Sequence, residues 1–78
     1  MPHVNIKHFP VAMSEADQTR LVAEVTQAVT RAFRCEERVI SIALETVAPE
    51  VWNERVYQPE IVGRPGSLRK IPCYDPAV

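Results

Sequence analysis

The stretch PHVNIKHFP, residues 2–10, decides how the chain begins to fold. Val4 and Ile6 alternate with polar side chains at positions 3, 5 and 7, the period of two that is typical of a β-strand with one buried face. We therefore predict a first strand over residues 2–9. Pro10 should end it, because proline has no backbone N–H with which to continue a ladder.

Pro2 directly follows the methionine that opens the sequence, and two interpretations of this proline stay open at this point. In the first, Pro2 begins the strand, since the first position of a strand is one of the few where the missing N–H costs nothing. In the second, Met1 is removed, because a small second residue permits removal. Pro2 would then be a free N-terminal secondary amine.

A helix is predicted to begin after Ser14. Ser14 followed by Asp17 resembles a capping box, in which the serine side chain caps the first turn. From Leu21 onward, apolar residues recur at spacings of three and four, at positions 21, 25, 28, 29 and 32. This spacing predicts a surface helix with one packed stripe, which should end between residues 33 and 35.

The run VISIAL, residues 39–44, is almost continuously apolar and rich in β-branched residues, which predicts a second strand covered on both faces. A strand, a helix and a strand form a βαβ unit, whose strands run parallel through a right-handed crossover. We expect an α+β fold. Beyond it, PEVWNERVY (residues 49–57) predicts a short helix with Pro49 in its first turn, and a turn at residues 64–66 should lie between short extended pieces.

The small size of the chain favours self-association. Its 78 residues make one domain, 1–78, and a domain of this length buries only about 60% of the surface that it exposes when unfolded. Two cysteines are too few for a disulfide framework. Exposed sheet edges would be covered by another copy, so we expect a homodimer, and a hexamer stays open.

Charge and hydropathy limit the partners and the location. The formal net charge is −1, which predicts no general attraction to nucleic acid or to an anionic membrane. No run approaches the roughly 18 apolar residues that cross a bilayer, and the start lacks the layout of a signal peptide. We expect a cytoplasmic protein that binds neither nucleic acid nor membrane.

Taken together, these features resemble the tautomerase superfamily, whose founding member is 4-oxalocrotonate tautomerase and whose members are short βαβ chains that begin with proline after methionine removal. The likeness is closest to the PptA branch, described as phenylpyruvate tautomerase-like and dimeric. It covers essentially the whole chain and is carried by PHVNIK and FP at the start, SIAL in the second strand, PE and Trp52 beyond it, and Lys70, Pro72 and Tyr74 near the end.

The resemblance implies a cofactor-free enol/keto tautomerase, an isomerase, with Pro2 as general base and then general acid. Such a base works best when the pKa of its conjugate acid lies near the working pH, and burial in an apolar wall lowers the pKa of an amine. Trp52 matches an aromatic position of the family and would wall the pocket. The alternative for Trp52 is plain core packing.

A 2-oxo acid also needs a cation or an N–H group for its carboxylate. The founding enzyme has one arginine before the helix and one in the second strand. At the matching positions this chain carries residues 11–13 and Ser41, none of which is arginine. A monoacid such as phenylpyruvate therefore fits better than a diacid. The available cations are Arg64, Arg69 and Lys70, in a stretch (61–74) without acidic residues, and Arg38 at the mouth of the second strand. The alternative for the first three is a solvated basic tail.

The sequence allows three further interpretations. His3 and His8, perhaps with Cys35 or Cys73, could suggest a metal site, but a separation of five along a strand places the two histidines on opposite faces, so no metal is predicted. Glu54 with Pro2 could make a hydratase or dehalogenase of unsaturated acids, although a solvated glutamate is the simpler interpretation. The last alternative is a non-catalytic, self-assembling protein with the same fold.

Overall fold

The computed structural model describes residues 1–74, so the last four residues of the predicted 1–78 domain lie outside the described part. Its regular elements are strand β1 (His3–His8), helix α1 (Glu15–Phe33) and strand β2 (Ser41–Thr46). A π-helix, Asn53–Val62, follows them. Short 3₁₀ helices lie at Glu37–Val39, Pro49–Val51 and Pro65–Ser67.

The two strands form the predicted parallel βαβ unit. His3 pairs with Ser41 and His8 with Thr46, and the intervening residues pair in the same register. Strand β1 is one residue shorter at each end than predicted. Strand β2 begins two residues later than predicted, because the chain before it closes a 3₁₀ turn in which the N–H of Ile40 donates to the carbonyl of Glu37 at 3.1 Å.

Helix α1 begins and ends close to the predicted positions. The Ser14 hydroxyl accepts a hydrogen bond from the backbone N–H of Asp17 at 3.1 Å, which satisfies one of the donors left free in a first helical turn. Arg34 ends the helix in the left-handed conformation, with φ 52°. That conformation turns the backbone out of the helix and into the loop before β2.

The single chain buries very little. Only Val47 and Val56 are buried among residues 1–74, and no residue of α1 is. The accessible surface is 6283 Å², against about 4,800 Å² expected for a folded monomer of 8.8 kDa, and the radius of gyration is 14.4 Å, against about 11.5 Å. The chain by itself therefore lacks a sufficient core.

Strand β2 is also incompletely buried by the rest of the chain. We predicted a strand covered on both faces, but in the single chain its residues are at most half-buried. Large apolar side chains are exposed elsewhere as well, among them Phe33 (68%), Ile71 (76%) and Val11 (62%). These side chains belong to the surface that the predicted self-association would cover.

The region after β2 is helical where a short helix was predicted, but its form differs. Pro49 opens a 3₁₀ turn, as expected for proline in a first turn. A π-helix then continues past Pro59, whose ring clashes with the carbonyl four residues earlier in an α-helix. Wider turns accommodate it, and the N–H of Gly63 donates to the carbonyl of Gln58 at 2.8 Å.

The predicted turn at residues 64–66 is present as the 3₁₀ helix Pro65–Ser67, but no strand flanks it within residues 1–74. The extended piece predicted before the turn is wrong, because the π-helix occupies those residues; after the turn, Leu68 has extended backbone, with φ −75° and ψ 132°. In the described part of the chain, no helix has the length and apolarity to span a bilayer.

Candidate active site

Pro2 lines a cleft of about 420 Å³ between the start of β1 and the end of α1. The cleft is lined by Met1, Pro2, His3, Val4, Val29, Phe33 and Cys35. Pro2 is half-buried, and its carbonyl accepts a hydrogen bond from the N–H of Ser41 at 3.2 Å. The parallel pairing thus fixes Pro2 beside the first residue of β2.

A histidine and a serine stand next to Pro2 at this end of the sheet. His3 and Ser41 face each other across the strand pair, with 2.7 Å between the Nδ1 atom of His3 and the Oγ atom of Ser41. Sequence reasoning treated His3 only as a possible metal ligand and missed this pair. The register of the two strands, once known, reveals it.

Arg38 also lies at the Pro2 end of the sheet, in the 3₁₀ helix just before β2. Its guanidinium pairs with the carboxylate of Glu36, its side chain is 79% exposed, and it is not among the residues that line the Pro2 cleft. Arg38 is therefore near the site without being part of its wall in the single chain.

Trp52 lines a second cleft, of about 290 Å³, together with Phe9 and Tyr74. The rings of Phe9 and Trp52 meet edge to face at a centroid distance of 5.0 Å, an arrangement that aromatic quadrupoles favour. The indole N–H donates to the Tyr74 hydroxyl at 2.9 Å. Trp52 is thus half-buried in a surface aromatic cluster rather than enclosed in a core.

The two clefts lie at opposite ends of β1. Pro2 precedes the strand and Phe9 follows it. Extended backbone advances about 3.3 Å per residue, so the seven steps between Pro2 and Phe9 correspond to roughly 20 Å. The structure therefore does not bring Pro2 and Trp52 together within one chain, although sequence reasoning placed them in one site.

The three other predicted cations belong to the chain segment that leads to Tyr74. Arg64 precedes the last 3₁₀ helix, and Arg69 donates to the carbonyls of Gly66 and Leu68 at 3.0 and 3.1 Å. Both are exposed, as is Lys70. None of the three lines the Pro2 cleft or the Trp52 cleft.

Ion pairs tie the π-helix to the polar face of the sheet. Lys7 of β1 pairs with Glu60, and Glu45 of β2 lies 3.7 Å from Arg55. These contacts fix the segment that carries Trp52 on the strands. Sequence reasoning did not identify them, because they depend on where the π-helix crosses the sheet.

The remaining candidates lie apart. Glu54 is exposed in the first turn of the π-helix and lines neither cleft. Within residues 1–74, no group of three or more histidine, cysteine or acidic side chains is placed to hold a metal ion. His3 and His8 have separate hydrogen-bond partners, Ser41 and the carbonyl of Phe9.

Comparison with proteins of known name finds relatives along almost the whole chain. Tautomerase PptA of Cronobacter sakazakii is 36% identical over 75 residues, which cover 96% of this chain and 99% of that protein. Tautomerase PptA of Klebsiella pneumoniae is 36% identical over 74 residues, and that of Escherichia coli is 35% identical over the same length; each match covers 95% of this chain and 97% of the relative. The chain belongs to the PptA tautomerase family. No family model matches it.

Membership of the PptA tautomerase family makes the protein an enzyme, an isomerase that acts on a small molecule. The predicted superfamily and its βαβ fold are confirmed. The interpretation as a non-catalytic module with the same fold is not supported by relatives that are all named tautomerases.

Proposed function

We propose that this PptA-family enzyme is a cofactor-free enol/keto tautomerase of 2-oxo monoacids such as phenylpyruvate, with Pro2 as its general base and then its general acid. The supporting observation is that Pro2 lines a largely apolar cleft, whose walls other than Met1 itself remain in the processed chain. With Met1 attached, the Pro2 nitrogen is an amide without basicity. Met1 is 99% exposed, so a processing enzyme has access to the bond that must be cut.

The chemistry needs one proton to change position. The Pro2 nitrogen takes the proton of the substrate's enol O–H group, and the electron pair of that bond becomes the carbonyl π-bond. The electron pair of the enol C=C π-bond then forms a C–H bond with the proton that the Pro2 N–H returns to the neighbouring carbon. The side chains of Val4, Val29 and Phe33 line the same cleft, and the proposed role requires them to shield the nitrogen from water. Such desolvation would lower the pKa of the Pro2 amine, because it disfavours the cation.

The aromatic wall of this site is proposed to come from a second copy of the chain. Pro2 and Trp52 are too far apart within one chain, and the single chain exposes more surface than a folded monomer of its size should. In a symmetric dimer, a contact from Pro2 of one copy to Trp52 of the other occurs a second time with the two copies exchanged. The partner's Trp52 would then close the Pro2 cleft, twice per homodimer, and a hexamer of such dimers is the larger alternative.

The candidate cationic side chains of the proposed site come from both copies of the chain. Arg38 lies at the Pro2 end of its own chain. Arg64, Arg69 and Lys70 lie in the segment between the π-helix and Tyr74, which bonds to Trp52, so they would arrive with the partner's aromatic cluster. One of these four is proposed to bind the substrate carboxylate. The two free thiols, Cys35 and Cys73, fit the reducing cytoplasm proposed as the location.

Substrate preference tests this proposal. The enol of phenylpyruvate should be ketonised with a higher kcat/KM than a dicarboxylic enol such as that of 4-oxalocrotonate, because the regions at 11–13 and at Ser41 carry no arginine for a second carboxylate. The loss of enol absorbance with time measures both reactions. A clear preference for the diacid, or no catalysis of either, would contradict the proposed substrate class.

A further inference from the structure

His3 is the polar side chain closest in sequence to the proposed base, and it lines the same cleft. The α-carbons of adjacent residues lie about 3.8 Å apart, and both residues line one cleft, so a substrate that fills this cleft reaches both. The strand pairing sets this position, because Ser41 bonds to Pro2 through its backbone and to His3 through its side chain.

The bond to Ser41 occupies Nδ1 of the His3 imidazole and leaves Nε2 as the other nitrogen. A neutral histidine carries a hydrogen on one ring nitrogen only, and the hydrogen bond made by the other nitrogen sets which one. The 2.7 Å contact fits either tautomer of His3; in the one in which the Ser41 hydroxyl donates to Nδ1, the hydrogen resides on Nε2. The Nε2–H group is then left to donate to another acceptor.

The reaction needs such a donor. Negative charge develops on the substrate oxygen after Pro2 takes its proton, and a fixed N–H group aimed at that oxygen lowers the barrier. The four candidate cations do not line the cleft in the chain that carries Pro2.

We propose that the Nε2–H group of His3, oriented by Ser41, donates a hydrogen bond to the enolate oxygen of the 2-oxo acid while Pro2 moves the proton. This inference rests on the proposed function and assigns a further catalytic residue to the same site. Ser41 does not touch the substrate and is a positioning residue.

Three substitutions of His3 separate this role from a structural one. Glutamine places its amide N–H near the Nε2 position, whereas asparagine places its amide near Nδ1. His3→Phe and His3→Asn should lower kcat for phenylpyruvate ketonisation by about 10²–10³-fold, the usual cost of losing one oxyanion donor, with a smaller change in KM. His3→Gln should retain most of kcat.

A purely structural bond to Ser41 predicts the reverse order, because asparagine preserves a contact to Ser41 and glutamine does not. That order, or an unchanged kcat in His3→Phe, would overturn the inference. Ser41→Ala should lower kcat by a smaller factor than His3→Phe, since it removes only the orienting bond. His8→Asn is the matched control, because the Nδ1 atom of His8 bonds to the carbonyl of Phe9 and asparagine places its amide near that position; its kcat should be unchanged.

Pro2→Ala distinguishes failure of this inference from failure of the proposed function. If Pro2→Ala is inactive and His3→Phe is fully active, Pro2 is the base and His3 has no catalytic role. If Pro2→Ala is as active as the native enzyme, the proposed function fails, and the assignment of His3 fails with it. The circular dichroism spectrum and sedimentation of each variant show whether it folds and assembles.

Discussion

Pro2→Ala is expected to lower kcat/KM for ketonisation of the phenylpyruvate enol by about 10²–10⁴-fold, the usual contribution of a positioned general base. Alanine still permits removal of Met1 but leaves a primary amine. That amine rotates freely and lacks the ring that fixes the direction of the proline lone pair. Kinetics on protein whose processing has been checked by intact mass would measure the loss.

Two comparisons make this result specific. Pro10→Ala is the matched control, because Pro10 is exposed and lines neither cleft, and it should keep native activity. Chains that retain Met1 should be at least as impaired as Pro2→Ala, since their Pro2 nitrogen is an amide. Activity that is independent of Met1 removal would refute the role of the terminal amine.

Mixing two impaired variants is expected to restore activity. Trp52→Ala should lower kcat/KM at least about tenfold, which corresponds to roughly 1.4 kcal/mol of transition-state stabilisation. In a mixed dimer of Pro2→Ala and Trp52→Ala chains, one site combines the native Pro2 of one chain with the native Trp52 of the other. The second site of that dimer carries both substitutions.

Random pairing makes about half of the dimers mixed, and each has one native site, so the mixture should recover about a quarter of native activity. Co-expression of the two chains, or joint refolding, allows this exchange. Sedimentation should give the mass of a dimer, or of a larger assembly of dimers, and not that of the 8.8 kDa monomer. A mixture no more active than its components, with exchange verified by mass, would show that Trp52 acts within its own chain or not at all.

The sequence was sufficient to predict elements whose signals are local. The alternation in β1 and the Ser14 cap of α1 are set by neighbouring residues, and both are present where expected. Strand β2 was placed two residues early, because apolar character alone does not distinguish a strand from the 3₁₀ turn before it. The π-helix was missed, because it arises from the way Pro59 alters the hydrogen bonding of a helix already begun.

The site was less predictable than the fold for a geometric reason. Pro2 and Trp52 were identified by residue type and by resemblance. Neither gives the distance between the two residues, which the length of β1 sets at roughly 20 Å. The His3–Ser41 pair depends on strand register, which follows from side-chain packing across the whole unit. Contacts with a second copy lie beyond what a pattern in one chain specifies.

The central claim is that the Pro2 amine is uncharged often enough near neutral pH to act as a base. Titration of the processed, assembled enzyme labelled with ¹⁵N-proline measures this most directly, by following the Pro2 nitrogen in NMR spectra as pH changes. We predict a pKa clearly below that of the amine of a solvent-exposed prolyl peptide, with kcat/KM rising as pH increases through that pKa. A Pro2 nitrogen as basic as that of the peptide would contradict the account.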